Sequence, residues 1–115
     1  MRTIITAPLF GKKLSVPVSE ITHFTSGDKY VTAHYPGGEL IIDESLTSLV
    51  DEFAEKFARC HRRAVVAKDR IWKCFIYPQG HHGHLYLIGV SEPIPLSRTY
   101  AAQIRVLLDS IRRAA

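Results

Sequence analysis

Arg59-Cys60-His61-Arg62-Arg63-Ala64-Val65-Val66-Ala67 is the stretch whose reading decides the fold. Basic groups project from a short segment that turns at once into an apolar, β-branched run. Such residues suit a pleated surface, so the segment reads as a turn or strand end carrying charge, anchored by a strand that buries Val65 and Val66. Adjacent side chains on a strand point to opposite faces, so Arg62 and Arg63 share a direction only if they lie in a turn. Two further stretches have the same character. Ile94-Pro95-Leu96-Ser97-Arg98 is a short apolar strand with an Arg where the next element begins, and Gly27-Asp28-Lys29-Tyr30 places a Lys in a turn before Val31-Thr32-Ala33-His34. Three basic loops on a β-rich frame point to a surface that grips an anion, DNA first among them.

Just upstream of that stretch the period changes. Over residues 45–57, Leu46, Leu49, Val50, Phe53, Ala54 and Phe57 recur at three and four, one apolar stripe along a helix. Asp43 or Ser45 can cap its first turn, and the early acidic residues suit its N-terminal dipole. Asp51, Glu52 and Glu55 would face outward and repel a phosphate backbone. This helix therefore cannot be the groove-entering helix of a helix-turn-helix protein.

Earlier residues read as short strands. Residues 3–7 are β-branched and end at Pro8; Leu14, Val16 and Val18 alternate across Pro17; residues 20–24 and 30–35 follow; Pro36-Gly37-Gly38 turns into Glu39-Leu40-Ile41-Ile42. Downstream, residues 70–77 and 84–90 pair as a hairpin across Pro78-Gln79-Gly80-His81-His82-Gly83. Ser97 is placed to cap a last helix with the stripe Tyr100, Ile104, Leu107, Leu108 and Ile111. The fold class is thus mainly β with two helices (α+β): short antiparallel strands, one amphipathic helix mid-chain and one C-terminal helix.

Composition narrows the function. With 115 residues, 46% hydrophobic and 23% charged, the chain reads as one soluble domain, residues 1–115. Its apolar runs are too short to span a bilayer, and its first residues are too few and too polar for a secretory signal. Cys60 and Cys74 form neither a disulfide framework nor a metal pair, which places the chain in the reducing cytoplasm. The net charge is +4, unevenly spread: seven Lys or Arg fall between Lys56 and Lys73, while Asp43, Glu44, Asp51, Glu52 and Glu55 make the preceding segment acidic. That asymmetry suggests one face for a polyanion.

No nucleophile elbow, phosphate loop or paired-carboxylate signature appears, so no enzyme and no cofactor is expected. His81, His82 and His84 lack further ligands nearby in sequence, and they read as an exposed loop, not a metal site. Cys60, flanked by Arg59, His61 and Arg62, would have its thiolate favoured electrostatically, which marks it as a redox candidate against the reading of a packed, unreactive Cys. Arg98, in the first turn of a helix, would address an anion together with free backbone N–H groups, and an Arg fork can grip guanine O6 and N7. Arg59 lies on the pleat face of His61 and is a phosphate-contact candidate. His61 is either a DNA contact or a hydrogen-bonded framework residue.

From about Val16 to about Ile104 the chain resembles the LytTR family, the DNA-binding output domain of many bacterial two-component response regulators. Gly27-Asp28-Lys29-Tyr30-Val31, Ala58-Arg59-Cys60-His61-Arg62, Val65-Val66 and Ile94-Pro95-Leu96-Ser97-Arg98 carry the resemblance by their order and separations. Arg63 and Ala67 depart from the family's usual Ser or Asn and its usual Asn. The resemblance implies small sheets stacked into an elongated body, with inter-strand loops reading successive major grooves in double-stranded DNA for transcription regulation. It implies Arg98 and Arg62 as base readers, Lys29 and His61 as helpers, and Arg59 and Arg63 as phosphate holders. It also implies paired direct-repeat sites, a homodimer on DNA, and a receiver domain or sensor kinase pathway upstream; no receiver fits within these residues. The competing reading is a β-rich protein–protein interaction module that meets an acidic partner through the same basic loops.

Overall fold

The computed structural model describes residues 2–114, the last of them by its backbone alone. In chain order the first strands are β1 (Ile4–Leu9), β2 (Lys12–Pro17), β3 (His23–Ser26), β4 (Val31–Tyr35) and β5 (Gly38–Ile42). Helix α1 (Leu46–Glu52) precedes β6 (Phe57–His61), β7 (Ala64–Ala67), β8 (Ile71–Ile76), β9 (Gly83–Leu87) and β10 (Ile94–Leu96). Helix α2 (Arg98–Ala114) ends the described chain. The strands form three antiparallel sheets: β1-β2, β5-β4-β3-β7-β6 and β10-β9-β8. The body is elongated, 47 × 33 × 26 Å, and among the described residues no helix is long and apolar enough to cross a membrane.

Strand β7 joins two cores. All four of its side chains are buried. Val65 and Ala67 enter a core shared with Phe24, Leu49, Phe53 and the β1-β2 hairpin, while Ala64 and Val66 enter a second with Leu85, Leu87, Leu96 and Ile104. Alternate side chains on a strand face opposite ways, so an uninterrupted small apolar run is what a doubly covered strand requires. At roughly 25 cal/mol per Å² of apolar surface removed from water, each fully buried Val contributes ~1.5 kcal/mol or more.

Several expectations need correction. The strand expected over residues 20–24 begins only at His23 and runs to Ser26, after a 3₁₀ turn at Val18–Glu20. The mid-chain helix stops at Glu52; Phe53 caps it and donates its N–H to the Leu49 carbonyl. A turn follows, and Phe57 belongs to β6. The stripe through 57 looked helical because Phe57 returns from the next strand to the same core, its ring 6.1 Å from Phe53 and 5.2 Å from Phe24. Of the two cap candidates, Ser45 is used: its Oγ accepts the Ser48 N–H at 3.0 Å. The first strand likewise runs through Pro8 to Leu9, with Pro8 opposite Lys13. In a two-stranded sheet both strands are edges, so the missing proline N–H can face outward at no cost.

Gly83 begins β9 between Ile76 and Leu96. A Cβ there would stand 1.8 Å from the Phe75 carbonyl oxygen. Glycine is demanded by that approach, not by the neighbouring turn.

Candidate nucleic-acid interface

The β6–β7 hairpin reverses at Arg62 and Arg63, with His61 paired to Ala64 and a bulge between Arg59 and His61. Both arginines are exposed at its tip, so the turn lifts the pleat restriction that would have sent them to opposite faces. The tip is held from several sides. The Arg59 guanidinium donates to the Arg62 carbonyl at 2.8 Å, to the His61 carbonyl at 3.4 Å and to Thr47 Oγ1 at 3.1 Å. His61 Nδ1 accepts the Arg63 N–H at 3.1 Å. A guanidinium carries five N–H donors, so two of Arg59's remain free after these bonds.

Burial, and then the charges of Arg62 and Arg63, hold the His61 imidazole below its ordinary pKa. The ring is neutral at pH 7, with Nδ1 accepting inside the turn and its proton on Nε2. Framework is its first role here.

The neighbouring cations do not activate Cys60. Its side chain is fully buried, burial pushes the thiol up to about 12, and Sγ–H donates to the Ala64 carbonyl at 3.6 Å. Cys60 occupies the bulge and points into the second core, away from the arginines beside it in sequence. The packed reading of this residue is the one its surroundings support.

The other two basic segments meet this tip through the backbone. The Ser26 N–H donates to the Arg63 carbonyl at 3.0 Å, which sets the 27–30 loop, closed by Gly27 N–H to the Tyr30 carbonyl at 2.8 Å, beside the tip. Lys29 and Tyr30 are exposed in it. Each turn joins neighbouring strands in the order β4-β3-β7-β6, and strand spacing of about 4.8 Å puts the two turns about 10 Å apart. The Ser97 N–H donates to the Cys60 carbonyl at 2.9 Å, so α2 starts against β6 with Arg98 exposed as its first residue. Ser97 opens that helix through its carbonyl, which accepts from Tyr100 and Ala101, while its buried Oγ finds no partner among the described residues. Lys29, Arg62, Arg63 and Arg98 thus share one end of the five-stranded sheet.

The basic run 56–73 is not one face. Lys68 N–H donates to the Lys56 carbonyl at the opposite end of the hairpin, and Lys68 Nζ caps the Ala54 carbonyl at 2.8 Å. Arg70 reaches the Ser19 carbonyl, and Lys73 lies over the Tyr86 ring. Only Arg59, Arg62 and Arg63 of that run gather at the tip. On the acidic side, Arg2 pairs with Glu44 and Glu52 at 2.5 and 2.6 Å, which holds the Glu52 carboxyl below its usual range. Thr47 and the Ser26 amide were not foreseen as parts of the site. Neither has a local signal, because each matters only through a contact with a distant residue.

A family model of the LytTr DNA-binding domain matches residues 11–109. The chain belongs to the LytTR family. Its sequence is 39% identical over 97 residues to the positive alginate biosynthesis regulatory protein of Pseudomonas aeruginosa. That match covers 84% of this chain and 39% of the relative, so the chain spans well under half of the relative's length. Among solved structures it resembles the LytTr DNA-binding domain of a methyl-accepting/DNA response regulator from Bacillus cereus, with a TM-score of 0.81 and 24% identity, over 94% of this chain and 98% of that one. At that identity the likeness is one of fold, and it covers all three sheets of this LytTR chain.

Proposed function

We propose that this chain binds double-stranded DNA through the end of its five-stranded sheet and serves transcription regulation as the output module of a cytoplasmic response regulator. The observation that carries the reading is the convergence of three sequence-distant basic segments, through the Ser26–Arg63 and Ser97–Cys60 backbone bonds, in a member of a DNA-binding family. Arg98 and Arg62 read neighbouring base edges within one stretch of groove, because the Ser97–Cys60 bond holds them too close together to span the ~34 Å between successive major grooves. Lys29 and His61 Nε2–H assist, and Arg63 holds phosphate. Arg59 keeps the tip in shape and offers its two free N–H groups to the backbone. In the full regulator, a receiver domain answering a sensor kinase pairs two such modules as a homodimer on direct repeats.

Selection from random duplexes, followed by titration of the preferred site, tests this. With roughly five phosphate contacts, log K should fall with log[salt] at a slope of about −4 to −5. Arg98→Ala should cost ~1–3 kcal/mol on the preferred site and relax base choice at one position, and Arg62→Ala should act on a separable part of it. Arg63→Ala should weaken every duplex alike and reduce the slope by about one unit. A salt-independent binding constant would sink the DNA reading, and no competition by unrelated duplex would point to an acidic protein partner instead. Should Arg98→Ala weaken preferred and random DNA by the same factor, Arg98 is a phosphate clamp and the division of roles is wrong.

A further inference from the structure

Far from the basic end, the C-terminal half of α2 leaves a cleft of about 430 Å³ against the end of β8. That volume falls in the range of small-molecule pockets, about 300–1,000 Å³. The cleft residues of α2, Arg105 to Arg112, lie about 10 to 21 Å along the helix from Arg98 at 1.5 Å per residue, on the far side from the proposed DNA surface.

Arg105, Leu108, Asp109 and Arg112 line one side of it. They recur at three, four and seven, so they share one face of α2. Opposite them stand Cys74 and Ile76 of β8, with Tyr77, Pro78 and His81 of the following loop. Neither Arg105 nor Arg112 makes an ion pair among the described residues, whose only pairs join Arg2 to Glu44 and Glu52 and His34 to Glu39. Both arginines act on the cleft wall: burial pushes the Cys74 thiol up, and the two guanidiniums pull it the other way. His81, at the rim, is held at φ 56°, a left-handed backbone that a residue other than glycine seldom adopts.

The walls differ in chemistry. Two unpaired guanidiniums offer planar forks matched to an oxyanion, while Ile76 and Leu108 offer an apolar bed beside them. Asp109 sits between the arginines on the same face and disfavours a ligand with charge along its whole length. We infer that this cleft between α2 and the β8–β9 loop is a binding site for a small organic anion, its acid group held by Arg105 and Arg112 and its flat apolar body laid on Leu108 and Ile76. The acid group can be a carboxylate or a phosphate monoester, which share the fork-shaped pattern of acceptors.

The test is a ¹H–¹⁵N titration of the whole chain with benzoate, phenyl phosphate, inorganic phosphate and benzamide. Benzoate or phenyl phosphate should give saturable shifts at Cys74, Tyr77, Leu108 and Arg112, with a dissociation constant on the order of 1 mM. The tighter of the two identifies the acid group. Either should also slow alkylation of Cys74, while the buried Cys60 stays unmodified throughout. Arg105→Gln should weaken binding about tenfold, and so should Arg112→Gln, which lies on the exposed last turns and cannot unfold the domain. Benzamide matching benzoate would remove the role of the arginines, and inorganic phosphate matching phenyl phosphate would remove the role of the apolar wall. Either result, or unchanged affinity in both Gln variants, overturns the assignment.

Discussion

The chain contains two bulged antiparallel hairpins of similar size, β6–β7 and β8–β9, used in opposite ways. In β6–β7 the inner strand is covered on both faces, and the tip is a tight turn fixed by Arg59, His61 and the Ser26 amide. In β8–β9 only one face is covered. The other carries Trp72 near Tyr86, Lys73 over that same ring, and Phe75 edge-on to Tyr77. Its connection is a longer loop, and Trp72 is 60% exposed. Charge is displayed by the hairpin with the more rigid root. A guanidinium that must meet a base edge within a few tenths of an ångström gains from a turn whose own freedom is already spent.

Burial should make the largest difference between the two hairpins. Val65→Asp places an unpaired carboxylate between the β7 neighbours in the core, and the expected loss exceeds ~4 kcal/mol, enough to unfold a domain of this size. Trp72→Ala removes a larger side chain from β8, yet should cost about 1 kcal/mol or less, since most of that ring is already in water. Urea melts of the two variants decide the point. A Trp72→Ala loss as large as that of Val65→Asp would mean the outer face of β8 is covered in solution.

Acid should come next, and it attacks the β7 side of the molecule. His23, paired with Val66 across β3–β7, stacks on His34 with ring centroids 4.1 Å apart. Its Nδ1 bonds Thr22 Oγ1 at 2.8 Å, and His34 Nε2 bonds Thr25 Oγ1 at 2.8 Å. Burial, with the His34 charge second, lowers His23 to about 4; burial also lowers His34, against the pull of Glu39. Because the folded pKa lies below the unfolded value near 6.5, the unfolded chain takes up the proton first. The stability these residues contribute is therefore whole above about pH 6.5 and drains as the pH falls toward 4. His23 alone should account for ~2–3 kcal/mol of that loss. Melts between pH 7 and pH 4 should show this slope, and His23→Gln should flatten it; an unchanged slope in the variant would place the acid sensitivity elsewhere.

Much of this contrast was legible in the residues. Ala64-Val65-Val66-Ala67 announces a covered strand because nothing polar interrupts it, and the basic turns announce themselves because charge follows each apolar run. What was not legible depends on distance. The helical stripe over 46–57 merged two elements because Phe57 enters the core of Phe53 from a strand, and spacing alone cannot tell the two routes apart. Cys60 looked activated by its sequence neighbours, but the bulge turns it inward and burial outweighs their charge. Lys56, Lys68, Arg70 and Lys73 looked like part of one basic face until the hairpin sent them elsewhere. Sequence neighbours predict charge density well and direction poorly.

The smallest expected effect concerns the root of the β6–β7 tip. Arg59 is half-buried, and its guanidinium joins the turn to α1 through the Arg62 and His61 carbonyls and Thr47 Oγ1. Arg59→Met keeps a stem of similar length for packing and removes all these donors. The carbonyls lie at an exposed turn where water can replace the guanidinium, so the stability cost should be only about 0.5–1 kcal/mol. DNA affinity should fall by a comparable amount on the preferred site, because Arg62 and Arg63 would then have to be ordered upon binding. Arg59→Lys should fail to restore the tip, since an ammonium cannot span three acceptors lying in different directions. The discriminating measurement is the salt slope. If Arg59 serves mainly as a brace, Arg59→Met weakens binding with the slope nearly unchanged, whereas loss of a phosphate contact lowers it by about one unit, as expected for Arg63→Ala. A full unit lost in Arg59→Met would make Arg59 a phosphate holder first and a brace second.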